Sequence, residues 1–328
     1  MHIACTERDN HLETPRVSIL VPCYNVEQFL PQCLQSLISQ TLRDIEIICI
    51  NDGSTDSTLS VMQEFKDRDS RIRIIDKTNS GYGASMNCGL ASARGEYIGI
   101  TESDDFASSG MYKKLYRTAQ KHNLDIAKSN FYNYFNGKDH KEETFRGFPY
   151  RRVFDPADIP HILAPIPSVW AAIYRRSMIE EAGVLFNETP GASFQDTAFV
   201  LKCWFAARRA YLIPQAYLHY RNDNPNSSVK SSTKIYEICD EFSSVDSCMD
   251  SDPERRRKFI AEFNGHRFNT YRWNYNRIGR EYHMEFAARI RDEMLRARER
   301  NELLEEGFFP DNWVWLQEIL QDSNRFAR

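Results

Sequence analysis

The stretch Tyr97-Ile98-Gly99-Ile100-Thr101-Glu102-Ser103-Asp104-Asp105 passes from a short apolar run directly into a cluster of acidic side chains. The apolar run predicts a buried strand, so the acidic residues fall where a loop begins. Carboxylates placed this closely repel one another unless a cation lies between them. Oxygen ligands of this kind suit Mg²⁺ or Mn²⁺, which commonly also hold substrate phosphates. Taken alone, the three acids would fit a solvated loop better.

A second acidic turn, Asn51-Asp52-Gly53-Ser54-Thr55-Asp56, follows an earlier apolar run. The surrounding sequence alternates predicted strands with predicted helices, which is typical of βαβ units and a mainly parallel, Rossmann-like α/β sheet. The predicted strands are residues 17–22, 45–50, 71–75, 96–100 and 124–129, and the predicted helices are residues 27–39, 57–65, 83–93 and 110–122. Sites in such sheets lie at the carboxyl ends of the strands. Both acidic turns and the turn at residues 22–25 fall there, which predicts one nucleotide site.

The composition is that of a globular protein, with 328 residues, 41% hydrophobic and 27% charged residues, and a net charge of −4. This balance gives no reason to expect nucleic acid as a partner. The eight cysteines form no CxxC pair, so neither zinc nor a disulfide scaffold is indicated. No apolar segment reaches the roughly 20 residues that span a bilayer, and residues 1–14 lack a signal-peptide core. We expect a soluble, cytoplasmic protein, with peripheral contact at the inner face of the plasma membrane as an alternative.

The alternation of strands and helices weakens beyond residue 134. The sequence predicts an irregular segment at residues 136–150, a strand at 168–174, helices at 175–182 and 194–209, and two short strands at 210–213 and 216–220. From residue 233 the pattern is helical, at residues 234–249, 254–300 with a break near Gly279, and 311–320. The chain is therefore expected to consist of an α/β part followed by a helical C-terminal extension.

Four motifs follow one another in the α/β part. They are Val17-Ser-Ile-Leu-Val-Pro-Cys-Tyr-Asn25, Asn51-Asp-Gly-Ser-Thr-Asp-Ser-Thr58, Asn79-Ser-Gly-Tyr-Gly-Ala-Ser-Met-Asn-Cys-Gly89 and Gly95-Glu-Tyr-Ile98. Together they resemble the motifs of family 2 glycosyltransferases of the bacterial cell-surface polysaccharide type, which are inverting enzymes with the GT-A fold. The resemblance implies a GT-A domain at residues 15–230, with a nucleotide-sugar-binding half (15–130) and an acceptor half (131–230). A helical extension at residues 231–328 follows it.

The resemblance also implies roles for the residues at the strand ends. Asp52 would accept the N–H of a uracil ring, and the turn at residues 22–25 would pack against the base. Glu102 would reach the ribose, and Asp105 would face the donor sugar. The nucleotide-binding residues expected in this way are Pro22, Tyr24, Asn25, Asp52, Asn79, Glu102 and Ser103. The alternative for Asp52 and Gly53 is a simple turn.

A metal ligand and a catalytic base are implied in the same way. Glu102-Ser103-Asp104 occupies the position of the family's Asp-x-Asp motif, so Asp104 would bind a divalent cation, Mn²⁺ or Mg²⁺. The cation would neutralise the charge on the departing UDP. His219 would be a second ligand, although a lone histidine in an apolar strand is more often structural. Asp196, after Gln195 at a helix start, would take the proton from the acceptor hydroxyl, although a helix dipole alone also favours an acid there.

We expect an inverting, metal-assisted transfer of a hexose-type sugar from a UDP-sugar to a saccharide hydroxyl. The product would be a capsule, O-antigen or exopolysaccharide, with a lipid-linked acceptor as one option. A non-catalytic sugar-nucleotide-binding or assembly protein is the alternative, because Glu102 and Gln195 depart from the family's pattern. A nucleotidyltransferase would need a glycine-rich basic loop that the turn at residues 22–25 does not supply, and a dinucleotide fingerprint fails at Met86. No motif specifies the sugar, the acceptor, the linkage or the oligomeric state.

Overall fold

The computed structural model describes residues 14–224 and 234–322. Residues 1–13, 323–328 and the predicted domain boundary at residue 230 lie outside these ranges. The strands are β1 (Val17–Cys23), β2 (Ile45–Asp52), β3 (Ile72–Lys77), β4 (Tyr97–Ile100), β5 (Phe106–Ala107), β6 (Ile126–Phe135), β7 (Lys138–Glu142), β8 (Val153–Phe154), β9 (Ala172–Arg175) and β10 (Ala210–Arg221). The helices are α1 (Leu30–Ile38), α2 (Thr58–Arg68), α3 (Tyr82–Ser92), α4 (Met111–His122), α5 (Arg176–Glu181), α6 (Gln195–Ala206), α7 (Glu237–Met249), α8 (Pro253–Arg277), α9 (His283–Glu299) and α10 (Pro310–Gln321).

The strands form one mixed sheet in the order β3-β2-β1-β4-β9-β6-β10-β5, with β7 paired to β6 and β8 paired to β10. The first four strands of this order are mutually parallel, and β6 is parallel to β10. Strand β9 lies between β4 and β6 and is antiparallel to both. β1 and β2 are buried at every position, as expected for parallel strands covered on both faces. The predicted mainly parallel α/β sheet is thereby confirmed.

Two predictions for the region after residue 134 were wrong. β10 is a single strand rather than two, and its register against β6 shifts between Ile213 and Ala216. The shift accommodates Pro214, which has no amide to donate to the ladder. The segment expected to be irregular contains β7, which forms an antiparallel hairpin with β6. Because β7 is polar and almost entirely exposed, it lacks the alternation of apolar residues that would have predicted it.

The described part of the C-terminal extension consists of α7 to α10. The predicted break near Gly279 is confirmed, since α8 ends at Arg277 and α9 begins at His283. The extension shares one hydrophobic core with the α/β part, and its fully buried rings include Phe242, Phe263, Phe268, Tyr271 and Phe286. Within the described ranges, every helix is either too short or too polar to cross a membrane.

Candidate active site

The acidic turns meet at one edge of the sheet because β1 lies between β2 and β4. In the register of β1 with β2, Cys23 lies opposite Asn51, and in its register with β4, Leu20 lies opposite Ile100. The chain leaves the sheet at this edge into residues 22–25, residues 51–56 and residues 101–105. We call the last of these the acidic loop. The candidate site is therefore built by parallel strands that end side by side.

Asp52, at the end of β2, is surrounded by donors from its own chain. It forms an ion pair with Lys77 and accepts the amides of Ser80 at 2.9 Å and Gly81 at 2.9 Å. Burial raises the pKa of Asp52, but the Lys77 ammonium and the Ser80 amide outweigh it and hold the pKa below its ordinary value. Sequence reasoning missed Lys77, although the register of β2 with β3 places it directly opposite Asp52.

The turn at residues 22–25 is tied to the turn after β2. The Asn25 amide donates to Ser54 Oγ at 3.1 Å, and Asn25 Oδ1 accepts the Thr55 amide at 2.8 Å. Pro22 is buried within β1, whereas Tyr24 is 51% exposed. Asn79 is exposed and lies against Gly53, where an added Cβ would come within 2.7 Å of its backbone nitrogen. Asn25 and Asn79 thus both lie against the turn that follows Asp52.

The acidic loop has fewer donors than carboxylate oxygens. Tyr82, which sequence reasoning missed, donates its hydroxyl to Glu102 Oε1 at 2.7 Å. Burial raises the pKa of Glu102 to about 8, with further contributions from the charges of Asp104 and Asp196. Burial and the Asp104 charge raise the pKa of Asp105 well above its ordinary range. Ser103 is buried between these acids.

Arg221, at the end of β10, contacts the acidic loop mainly through backbone groups. Its amide donates to Asp105 Oδ1 at 2.8 Å, and its Nε donates to the Asp104 carbonyl at 2.7 Å. Its guanidinium also pairs with Asp223 at 3.1 Å, and Asn224 Nδ2 donates to Asp104 Oδ2 at 2.8 Å. Arg221 therefore fixes the conformation of the acidic loop through these hydrogen bonds. The charge of its guanidinium is partly neutralised by Asp223.

The acidic loop fits a divalent cation on two observations. Asp105 Oδ2 is buried and has no hydrogen-bond partner within residues 14–224 and 234–322, and the Asp104 charge raises the pKa values of both Glu102 and Asp105. The described residues contain no group of three or more His, Cys, Asp or Glu side chains arranged to hold a metal by themselves. The arrangement suits Mg²⁺ or Mn²⁺, which take few protein carboxylates and complete their shell with water and substrate phosphate.

His219 uses both of its ring nitrogens within the protein. Nδ1 lies 2.8 Å from Asp139 Oδ1, and Nε2 lies 3.2 Å from Ser108 Oγ. The ring is stacked between Phe106, at 4.3 Å, and Tyr132, at 5.0 Å. A metal ion would have to replace one of these two hydrogen bonds, so the geometry favours the structural alternative. The metal role of His219 stays a prediction.

Asp196 lies in the first turn of α6. Its Oδ1 accepts the amide of Thr197 at 2.8 Å, and burial raises its pKa to about 6 against the lowering effect of that amide. Its charge contributes to the raised pKa values of Glu102 and of the Tyr82 hydroxyl. The helix start thus shares one electrostatic neighbourhood with the acidic loop, which brings together the predicted base and the predicted metal site.

Gln195, the first residue of α6, orders the loop before that helix. It is buried, accepts the Ser193 amide and donates to Thr189 Oγ1 at 2.7 Å. The same loop lies against α3, where the Tyr82 amide donates to the Gly191 carbonyl at 2.9 Å. A Cβ added at Gly83 would lie 1.8 Å from the Asn187 carbonyl oxygen. The position of Asp196 is therefore coupled to the helix that carries Tyr82.

Residues 18–183 match the family model described as "Glycosyl transferase family 2". The chain therefore belongs to glycosyl transferase family 2. It is 36% identical over 219 residues to an uncharacterized glycosyltransferase, EpsJ, of Bacillus subtilis, covering 65% of this chain and 62% of the relative. It is 26% identical over 262 residues to the poly(ribitol-phosphate) beta-glucosyltransferase of Bacillus spizizenii, covering 77% of this chain and 40% of the relative. The chain spans less than two thirds of the length of these relatives.

Among solved structures, the chain is similar to residues 1–349 of TarS from S. aureus, crystallised in complex with UDP-GlcNAc. The TM-score is 0.79 at 19% identity, and the match covers 95% of this chain and 89% of the TarS chain. At this identity the likeness concerns the fold. It confirms the predicted GT-A sheet with C-terminal helices.

Proposed function

We propose that the protein transfers a hexose-type sugar from a UDP-sugar to a saccharide hydroxyl with inversion at the anomeric carbon. The observation that carries this proposal is the shared neighbourhood of Asp196 and the acidic loop. An inverting transfer needs one base at the acceptor and one positive charge at the departing diphosphate. Asp196 would supply the base, and a cation held by the acidic loop would supply the positive charge.

Asp196 is proposed as the general base. Its pKa of about 6 leaves it ionised at neutral pH, yet close enough to the working pH to accept a proton effectively. Its place in the first turn of α6 fixes the carboxylate through the Thr197 amide. Asp196 would take the proton from the acceptor hydroxyl as the hydroxyl oxygen attacks.

Asp104 is proposed as the cation ligand in the acidic loop, with Asp105 facing the donor sugar and Glu102 reaching the ribose. A bound cation would neutralise negative charge on the leaving UDP. A mannosyltransferase from Pyrobaculum calidifontis, crystallised with GDP-Man and Mn²⁺, is similar to this chain with a TM-score of 0.50 at 14% identity. The ion in that enzyme makes Mn²⁺ the first cation to test.

Asp52 and the residues around it are proposed to hold the uracil ring. Its carboxylate is fixed by Lys77 and by the amides of Ser80 and Gly81, and it would accept the N–H of the base. Tyr24, in the turn at residues 22–25, is 51% exposed and would lie against the ring. The proposed nucleotide half comprises residues 15–130, and the proposed acceptor half comprises residues 131–230.

The proposed product is a bacterial polysaccharide or a related polymer of the cell surface. Relatives of the chain include EpsH of Bacillus subtilis, a putative glycosyltransferase 32% identical over 216 residues, and the poly(ribitol-phosphate) beta-glucosyltransferase. A saccharide acceptor, lipid-linked or free, follows from that proposal, as does work at the inner face of the plasma membrane.

The experiment is to measure UDP release from a panel of UDP-sugars, beginning with UDP-GlcNAc, in Mn²⁺ and in EDTA. We expect slow, metal-dependent release from one donor. Release that is equal in EDTA would contradict the cation's role. No release and no UDP binding in calorimetry would instead favour a non-catalytic assembly protein.

A further inference from the structure

An exposed tryptophan of the C-terminal extension packs against the segment that leads into the proposed base. Trp273, on α8, is 45% exposed, and its ring centroid is 6.0 Å from that of Phe194 in an edge-to-face contact. Phe194 immediately precedes Gln195 and Asp196. Because consecutive Cα atoms are about 3.8 Å apart, the Cα atoms of Phe194 and Asp196 are separated by at most about 7.6 Å. Trp273 thus packs against the residue that leads directly into the helix turn carrying Asp196.

The indole is held in place although it is exposed. The Arg277 guanidinium lies 5.1 Å from the Trp273 ring and 5.6 Å from the Phe194 ring. Arg277 Nη2 donates to Asn274 Oδ1 at 2.8 Å and to the Lys234 carbonyl at 3.1 Å. Phe194 itself has a φ of 63°, a left-handed conformation that is costly for a residue other than glycine. The surrounding contacts thus fix an aromatic surface without covering it.

The chemistry around Trp273 suits a sugar better than an apolar partner. Its neighbour Arg277 is a cation, and the proposed catalytic group on the adjoining helix is a carboxylate. A pyranose has a face of C–H bonds that packs on an aromatic ring and a rim of hydroxyls that hydrogen-bonds to such polar groups. An apolar protein or lipid surface would leave these charges poorly paired.

We propose that Trp273 is the platform on which a pyranose ring of the acceptor stacks, with Phe194 and Arg277 fixing the indole. This inference rests on the proposed function and deepens it. The extension then contributes half of the acceptor subsite, and the α/β part alone would lack it. The stacked ring would present one hydroxyl towards Asp196.

The test compares transfer with hydrolysis in Trp273→Ala, Trp273→Phe and wild type. Each protein receives UDP-GlcNAc, or the donor that wild type hydrolyses, with Mn²⁺ and a panel of octyl pyranosides of glucose, galactose and N-acetylglucosamine. We expect Trp273→Ala to lower the ratio of transfer to hydrolysis about tenfold through a higher acceptor KM, the factor that a loss of 1.4 kcal/mol gives. Trp273→Phe, which keeps an aromatic face, should recover most of that ratio.

The ratio of transfer to hydrolysis distinguishes loss of the acceptor subsite from loss of the fold, because misfolding lowers the transfer rate and the hydrolysis rate together. Phe309→Ala is the matched control, since Phe309 is a 58% exposed aromatic residue of the same extension, and it should leave the ratio unchanged. An unchanged ratio in Trp273→Ala would overturn the inference. So would a wild type that hydrolyses the donor but glycosylates none of the pyranosides. A wild type without any hydrolysis would overturn the proposed function and the subsite with it.

Discussion

Asp52 and the acidic loop both follow buried parallel strands at the same edge of the sheet. Their carboxylates, however, receive very different numbers of hydrogen-bond donors and positive charges from the protein. Asp52 receives an ammonium and two amides, and its pKa is held below the ordinary value. Among the residues that the structure describes, Glu102 and Asp105 receive one donor each, and their pKa values are raised. A carboxylate that the fold already satisfies serves as a fixed acceptor. Carboxylates that the fold leaves short of donors favour a cation brought by the substrate.

The largest effect is expected at Asp196, whose pKa is also raised. We expect Asp196→Asn to lower kcat by about 10²–10⁴-fold, because the amide cannot accept the acceptor's proton. UDP binding, measured by calorimetry, should remain within a factor of about two. Asp56→Asn is the control, since Asp56 accepts the amides of Glu27 and Thr58 as a structural acid. Full activity in Asp196→Asn would contradict its role as the base.

Removal of the proposed cation ligand should give the next largest effect. We expect Asp104→Ala to abolish the increase in melting temperature that saturating Mn²⁺ and UDP produce in wild type. That increase should be several degrees, since a ligand at about 100 times its Kd adds about 2.7 kcal/mol. The measurement is thermal unfolding with and without EDTA. An equal Mn²⁺-dependent increase in Asp104→Ala would place the cation elsewhere.

The pH dependence of the reaction should report Asp196. Because its pKa is about 6 and the base must be ionised, kcat/KM should fall about tenfold per pH unit below pH 6. Rates with Mn²⁺ from pH 4.5 to 8 would measure this, with far-ultraviolet circular dichroism at each pH to show that the fold persists. A flat profile down to pH 4.5 would exclude Asp196 as the titrating base.

The smallest expected effects are on the free energy of unfolding. Replacing the carboxylate by an amide should destabilise the protein at Asp52 and stabilise it at Glu102. Asp52→Asn should lower the free energy of unfolding by about 1–3 kcal/mol at pH 7, because Lys77 loses its partner. Asp52 has a depressed pKa in the folded state, so its contribution is present above the unfolded value near 4 and is lost as pH falls through the folded value.

Glu102→Gln should behave in the opposite way in metal-free buffer. The folded protein holds the Glu102 proton up to about pH 8, so wild type loses stability as pH rises from about 4.5 to 8. The Glu102→Gln variant has no carboxyl group to titrate at this position. Its free energy of unfolding should therefore rise relative to that of wild type between about pH 4.5 and pH 8. Urea unfolding at pH 5 and pH 8 measures both variants. A Glu102→Gln variant that is less stable than wild type at pH 8 would show that the loop is not short of donors.

The sequence predicted strands β1, β2 and β4 and the turns that follow them well, because an apolar run and the turn after it can be recognised within a short stretch of sequence. The apolar runs of β1, β2 and β4 are continuous, so the acidic loop could be placed at a strand end. Pairings between distant segments have no such signal. The antiparallel position of β9 between β4 and β6 depends on topology, and the contact of Tyr82 with Glu102 depends on how α3 lies across the sheet.

The distance in sequence between Asp105 and Arg221 also has a consequence for synthesis. Strands β1 to β4 can pair once about the first hundred residues have left the ribosome. Asp105 Oδ1 obtains its amide only when Arg221 has been made. At about 5–20 residues per second, this interval is on the order of ten seconds. During that time the nascent chain carries an incomplete acidic loop, so the enzyme would become active only after most of its chain has been translated.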